Sequence, residues 1–173
     1  MKNKVRPDVI QTLIGAYELV LPRLLQHLPG FPSGESLRGV VVAGQPAYGM
    51  AAVGPDKSSE GADLIVRSAE KSDARPLWVL AWGGTNTLAQ ALQQARAAKS
   101  PAELDALIAK LRVYSISDQD DAGPWIRKEF PALHYIAMTD AQWLGFRLVR
   151  PATLPSVEEM YRAWNNGVAL DPY

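Results

Sequence analysis

The sequence predicts an α/β fold of three layers, a mostly parallel β-sheet with helices on both of its faces. Three observations support this prediction. Short apolar runs such as LRGVVVA, LWVLAW and LRVYSIS alternate with longer segments whose apolar residues recur at helical spacing. Glycine, proline and serine separate these segments. Because neighbouring parallel strands need a crossover connection, the alternation predicts right-handed β-α-β units and a sheet of about four strands.

The composition is that of an ordinary globular protein. The chain has 173 residues, of which 47% are hydrophobic and 21% charged, and we expect a single domain over residues 1–173. Eighteen basic and eighteen acidic residues cancel, which argues against nucleic acid or an anionic membrane as a partner. No cysteine is present, so disulfides, thiolate metal sites and a cysteine nucleophile are excluded.

The first predicted element is an amphipathic helix near the N-terminus. Its apolar residues recur every three or four positions with charged residues between them, and Pro22 predicts a kink or a break. This pattern is not that of a signal peptide, and no run of about eighteen uncharged apolar residues occurs that would span a membrane.

A turn rich in glycine, proline and serine precedes the first predicted strand, residues 37–43, whose apolar run is typical of a buried strand. A polar loop follows, and then a helix at residues 62–71 with a preceding serine as its cap. The next strand, residues 77–82, is the most strand-like run of the chain.

Thr85 or Asn86 is suited to cap a helix at residues 87–98. Ser100-Pro101-Ala102-Glu103 combines a serine cap, proline at the first position and glutamate at the third, and it predicts a helix that ends near Lys110. A strand at residues 111–117 follows directly.

The C-terminal third continues the alternation. We predict a short helix at residues 124–130, a strand at 133–138 and a helix at 142–148 capped by Thr139 or Asp140. A last helix, with apolar residues at 157, 160, 161 and 164, is predicted to end near Asn166-Gly167.

Polar residues follow two of the predicted strands at the point where each strand ends. Asp118, Gln119, Asp120 and Asp121 follow the strand at 111–117, and Gly83-Gly84-Thr85-Asn86 follows the strand at 77–82. Because ligands of open α/β sheets bind outside the carboxyl ends of the strands, we expect the two segments to form one site. Their oxygen atoms suit a hard cation such as calcium, or the hydroxyls of a sugar.

Simpler interpretations of these residues stay open. Asp121 would then only cap a helix, and the Gly-Gly-Thr-Asn segment would be a tight turn with a cap. Trp125, beside the aspartates, is the tryptophan that we expect to contact a sugar. Trp78 and Trp82 share a strand face and are expected in the core, as is His134 within its strand.

Two long segments, PLWVLAWGGTNTLAQAL and LRVYSISDQDDAGPWIRKEFPALHYI, resemble a known family. It is the nucleoside hydrolase-like domain of bacterial proteins that are often labelled cellulose-binding and associated with carbohydrate metabolism. The resemblance covers roughly residues 9–138, and it implies a nucleoside hydrolase-like fold. The family is often exported, although we find no signal peptide here.

That family is similar to the calcium-dependent inosine-uridine nucleoside N-ribohydrolases, which cleave an N-glycosidic bond by attack of water. The resemblance implies that the backbone carbonyl of Thr85 is a calcium ligand. It also implies that Asn86, Asp118, Asp120 and Asp121 lie where such enzymes bind the sugar, so that a sugar or nucleoside is the expected ligand. We expect Asp120→Asn or Asp121→Asn to weaken this binding with little effect on stability.

The chain also departs from the family. The aspartate-rich first strand that holds calcium and the catalytic base has no counterpart in residues 1–37, and a late His-Asp pair is missing after residue 138. We therefore expect a partial domain that lacks the first strand, binds calcium weakly or not at all, and is catalytically impaired. The catalytic residue is unknown, and the alternative is a non-catalytic carbohydrate-binding or scaffolding module. An exposed sheet edge would favour self-association.

Overall fold

A computed structural model of the chain describes residues 5–138. The helices predicted at residues 142–148 and after residue 155 lie outside the described residues. The chain divides into the units Met1–Ala137 and Met138–Tyr173, and the following description concerns the first of these, together with Met138 at the end of a strand. That residues 1–173 form a single domain stays a prediction.

The described part of the chain is an α/β structure with three strands. Its helices are α1 (Pro7–His27), α2 (Gly34–Arg38), α3 (Glu60–Ala69), α4 (Asn86–Ala98), α5 (Pro101–Lys110) and α6 (Ala122–Glu129), with a short 3-10 helix at Gly49–Ala52. Its strands are β1 (Leu77–Ala81), β2 (Leu111–Ile116) and β3 (His134–Met138). They form a parallel sheet in the order β1-β2-β3, with Leu77 opposite Leu111 and Ala81 opposite Ser115. The α/β class and the parallel sheet are thus confirmed.

The predicted strand at residues 37–43 is wrong. The Oγ of Ser33 accepts the backbone N–H of Ser36 at 3.1 Å and starts α2, which continues to Arg38. The Arg38 guanidinium then makes two 2.6 Å hydrogen bonds to the carboxylate of Glu18 on α1. The helix includes Leu37 and Arg38, the following residues form a turn and irregular backbone, and Val40 is left 60% exposed.

Helix α1 runs through Pro22 without ending there. It contacts α2 through the Glu18–Arg38 pair, and the Tyr17 hydroxyl donates to the carbonyl of Pro32 at 2.7 Å. Ile14 is buried, but many other apolar residues of α1 are exposed. Within residues 5–138 no helix is long and apolar enough to cross a membrane.

The apolar core lies on one face of the sheet. Leu111 and Val113 of β2 are fully buried there against Leu88 and Leu92 of α4 and Ile126 of α6. Helix α4 packs against α3, α5, α6 and the 3-10 helix, so it organises this side of the structure.

The opposite face of β1 is exposed. Trp78, Leu80 and Trp82 are 50%, 59% and 76% exposed, which makes the expectation of core positions for Trp78 and Trp82 wrong. His134 is also exposed, and its ring meets the Trp78 ring edge-on at 6.4 Å. The apolar sequence of β1 predicted that both faces of this strand would be buried. Among the described residues, the core helices cover one face of the sheet.

A buried amide joins α4 to the loop before α3. Gln90 is completely buried, its Nε2 donates to the carbonyl of Gly54 at 3.0 Å, and its Oε1 accepts the N–H of Gly54 at 2.9 Å. The side chain thus satisfies both backbone groups of one residue, as a neighbouring strand would.

We expect Gln90→Ala to lower the free energy of unfolding by about 2–4 kcal/mol, because both polar groups of Gly54 would lose their partner. Gln93→Ala on the same helix is the control, since the Gln93 side chain accepts only from Arg96 at the surface and should cost less than about 1 kcal/mol. Urea unfolding of both variants measures the difference, and equal costs would contradict this role of Gln90.

Candidate functional site

The carboxyl ends of β1 and β2 are joined by the carboxylate of Asp120. Its Oδ1 accepts the Thr85 hydroxyl at 3.2 Å and the N–H of Ala122 at 3.1 Å, and its Oδ2 accepts the N–H of Asn86 at 3.2 Å. Asn86 and Ala122 are the first residues of α4 and α6, so one carboxylate receives donors from two helix N-termini. At 5% exposure, Asp120 is a buried group whose oxygens are paired.

Of the two glycines after β1, Gly84 is the one that this arrangement requires. A Cβ at Gly84 would overlap the carboxylate of Asp120, whereas a Cβ at Gly83 would meet nothing within 4 Å. Gly84 therefore allows the close approach of the two turns, and Gly83 leaves open space at the sheet edge.

The segment of residues 44–54, which we call the polar loop, lies against the start of α4. The Asn86 Nδ2 donates to the carbonyl of Ala47 at 2.6 Å, and the N–H of Gln45 donates to the Thr87 hydroxyl at 3.0 Å. Asn86 is only 9% exposed, and its Oδ1 accepts the N–H of Thr87 at 2.9 Å. Both polar atoms of the Asn86 side chain thus have hydrogen-bond partners within the protein.

The polar loop also contacts the aspartate turn. The Asp121 Oδ1 accepts the N–H of Met50 at 2.8 Å, and the Tyr48 hydroxyl donates to the carbonyl of Gln119 at 3.1 Å. Gly49 between them has a φ of 51°, and a Cβ there would overlap the Asp121 carboxylate. Asp121 stands at the cap position of α6 but makes no capping hydrogen bond, so its exposed side chain holds the loop instead.

Asp118 forms an ion pair at the rim of the site. Its carboxylate accepts two hydrogen bonds from Arg127 of α6, at 2.9 and 2.7 Å, and both side chains are about one third exposed. The hydrogen bonds to Asp118 raise the pKa of the Arg127 guanidinium above its usual value. The guanidinium also lies 5.2 Å from the centre of the Tyr135 ring, which fixes its position.

Trp125 stands in the first turn of α6. It packs against the core, with its ring edge-on to Phe130 at 5.8 Å and with the Arg96 guanidinium 5.5 Å from its centre. The sugar contact expected of it from the sequence stays a prediction.

The turn that carries the aspartates is strained. Ser117 has a φ of 63°, which is uncommon for a residue other than glycine. The hydroxyl of buried Ser115 donates to the carbonyl of Ser117 at 2.8 Å and holds this conformation. Strained backbone of this kind is often found at binding sites.

The described residues do not fit a calcium ion. They contain no group of three or more aspartate, glutamate, histidine or cysteine residues that would hold a metal. The Thr85 carbonyl accepts the N–H of Ala89 at 2.9 Å as the first bond of α4, and the Asp120 oxygens are paired with donors. Calcium prefers six to eight oxygen ligands, more than these paired groups leave available.

Four polar side chains remain at the surface of the site. Asp118, Gln119, Asp121 and Tyr48 are exposed on the surface where the two turns and the polar loop meet. The sequence indicated the aspartates and Thr85-Asn86, which the structure brings together through Asp120. The sequence predicted a polar loop after residue 43, but it did not indicate that Tyr48 and this loop contact the aspartate turn, because those contacts join residues 71 positions apart and have no local pattern.

Comparison with known proteins supports the family suggested by the sequence. A family model described as the nucleoside hydrolase-like domain of cellulose-binding Sde182 matches residues 1–164. One similar solved structure is a nucleoside hydrolase-related protein from Saccharophagus degradans that is associated with carbohydrate metabolism, with 43% sequence identity and a TM-score of 0.74. The match covers 76% of this chain and 32% of that one, so this chain corresponds to about a third of its relative. No curated protein matches the sequence.

The contacts of Asp120 and Asp121 predict different effects of the same substitution. Asp120→Asn should lower the free energy of unfolding by about 2–3 kcal/mol, because an amide offers one acceptor oxygen and places N–H groups against buried donors. This revises the expectation from the sequence that stability would change little.

Asp121→Asn is the matched control, since its oxygen still accepts the N–H of Met50, and it should cost less than about 1 kcal/mol. Thermal and urea unfolding compare the two variants. If Asp120→Asn were as stable as Asp121→Asn, the proposed role of the buried carboxylate would be wrong.

Proposed function

The chain belongs to the family of the nucleoside hydrolase-like domain of cellulose-binding Sde182, and from this premise we propose that it binds a sugar or nucleoside at the carboxyl ends of β1 and β2. The observation that supports this most is that the three aspartates differ in their burial and in their contacts. Asp120 is buried and holds the two turns together, whereas Asp118 and Asp121 keep exposed carboxylates on the surface formed there.

The proposed site recognises hydroxyls by charge-assisted hydrogen bonds. An ionised carboxylate accepts more strongly than a neutral group, and a sugar ring presents several donors on one edge. The Asp121 Oδ1 is fixed by Met50, so the carboxylate is oriented before the sugar arrives and loses little freedom on binding. The Asp118–Arg127 pair adds a donor and an acceptor at the rim.

We further propose that these residues bind the sugar or nucleoside without hydrolysing it. Cleavage of an N-glycosidic bond needs a group that removes a proton from the attacking water. Within residues 5–138, Asp120 is paired with three donors and Asp118 with Arg127, and neither has the surroundings of a general base. The function is therefore carbohydrate binding on a hydrolase-like fold, with calcium weakly bound or not bound.

A second candidate, hydrolysis of a glycosyl bond, rests on the family's likeness to nucleoside hydrolases. It would require catalytic groups beyond those of the site described above. Measurement of turnover separates the two candidates.

We expect Asp121→Asn to weaken sugar affinity about 5- to 10-fold, because one charge-assisted hydrogen bond becomes a neutral one, while its stability cost stays below about 1 kcal/mol. Calorimetric titration with ribose, a nucleoside and a cello-oligosaccharide measures the affinity. Asp105→Asn on the exposed side of α5 is the control and should bind like the unaltered chain. Absence of heat with all three ligands would rule out the proposed site.

For the unaltered chain we expect release of free base from inosine and uridine at the uncatalysed rate, with or without added calcium. The reason is that Asp120 is paired with three donors and Asp118 with Arg127. Chromatographic detection of the free base measures this. Release of base well above the uncatalysed rate, in an activity that co-purifies with the chain, would support the second candidate function, hydrolysis.

A further inference from the structure

Tyr48 presents an exposed aromatic ring beside the proposed sugar site. The residue is 54% exposed, so more than half of its surface is left to solvent. Its hydroxyl donates to the carbonyl of Gln119 in the aspartate turn at 3.1 Å. The next residue, Gly49, lies against the Asp121 carboxylate. The ring therefore borders the carboxylate that we propose contacts the ligand.

The ring of Tyr48 is held at both ends. On the backbone side, Gly49 has a φ of 51° and the N–H of Met50 donates to the Asp121 Oδ1 at 2.8 Å. At the far end, the hydroxyl is bonded to the Gln119 carbonyl. Both ends are thus attached to the same turn. A tyrosine fixed in this way offers a large contact area and loses little freedom when a ligand binds.

An exposed ring next to a carboxylate matches the two kinds of surface that a sugar has. The C–H groups on the face of a sugar pack against aromatic side chains, and its hydroxyls form hydrogen bonds that fix its orientation. From this we infer that Tyr48 is the stacking platform of the site and that it selects a pyranose of the β-gluco configuration. The inference rests on the proposed function, whose ligand class it makes narrower.

The configuration follows from the shapes of the sugars. In a β-glucopyranoside every ring substituent is equatorial, so both faces carry only C–H groups and the hydroxyls point outward. With one face on Tyr48, the outward hydroxyls are directed toward the neighbouring carboxylate of Asp121. In a ribonucleoside one face of the sugar carries two hydroxyls and the other carries the base and C5. Neither face of that sugar is free to stack.

A nucleobase is the other flat partner for an aromatic ring. The polar edge of a base needs donors and acceptors, and the backbone groups beside Tyr48 already have partners. The Gln119 carbonyl accepts the Tyr48 hydroxyl, and the Ala47 carbonyl accepts a side-chain amide. The N–H of Met50 is bonded to Asp121. These contacts favour a pyranose over a base.

Proton NMR of methyl β-glucopyranoside, titrated with the full 173-residue chain, tests the stacking directly. Protons that lie over an aromatic ring are shifted upfield by its ring current. We expect upfield shifts of the ring protons on one face of the glucoside, and saturation transfer to the same protons from aromatic protons of the chain. Inosine, titrated in the same way, should bind more weakly.

Two substitutions of Tyr48 separate the ring from its hydroxyl. Tyr48→Leu removes the ring and should lower the affinity for the glucoside about tenfold, as the loss of an aromatic stack commonly does. Tyr48→Phe keeps the ring and should stay within about threefold of the unaltered chain.

Tyr17→Leu is the matched control, because the Tyr17 hydroxyl also donates to a backbone carbonyl, that of Pro32 on another part of the surface. It should bind the glucoside like the unaltered chain. Circular dichroism checks that all three variants remain folded.

Four results would overturn the inference. If Tyr48→Leu binds like the unaltered chain while Asp121→Asn still weakens binding, the ring is not a platform although the proposed site stands. Equal losses in Tyr48→Leu and Tyr48→Phe would assign Tyr48 a structural role through its hydroxyl. Tighter binding of inosine, with upfield shifts on its base, would replace the pyranose by a nucleobase. If neither ligand binds the unaltered chain, the proposed function fails as well.

Discussion

The candidate site depends on one buried carboxylate. Asp120 accepts hydrogen bonds from Thr85, Asn86 and Ala122, and thereby connects the turn after β1 with the turn after β2. A buried charge is costly unless it is paired, and here the donors at the starts of α4 and α6 supply the pairing. Gly84 must lack a side chain for the turns to approach this closely. The positions of Asp118 and Asp121 follow from this connection.

The sequence predicted those parts of the fold that local chemistry determines. The capping box at Ser100 and Glu103 is present, and the helices and strands between residues 60 and 138 lie close to their predicted positions. The apolar runs did not reveal which strand face would be covered, because burial depends on what packs there. For the same reason Trp78, Trp82 and His134 were expected in the core and are exposed.

The candidate site was predicted in outline and revised in its details. Strand ends and polar residues indicated its place, since parallel strands bring their carboxyl ends to one edge. The individual roles depended on contacts across the chain. Asp120, Thr85 and Asn86 form hydrogen bonds with one another or with the polar loop, and Trp125 packs against Phe130 and Arg96. Asp118 and Asp121 are exposed, and theirs are the carboxylates that we propose contact the ligand.

The proposed function requires that a sugar bind at the turns after β1 and β2. Backbone amide chemical shifts recorded during titration with ribose and a cello-oligosaccharide test it most directly. We expect saturable shifts at Gly83, Gln119 and Asp121, next to the exposed carboxylates. Shifts confined to the exposed tryptophans of the sheet, or no shifts with either sugar, would contradict it.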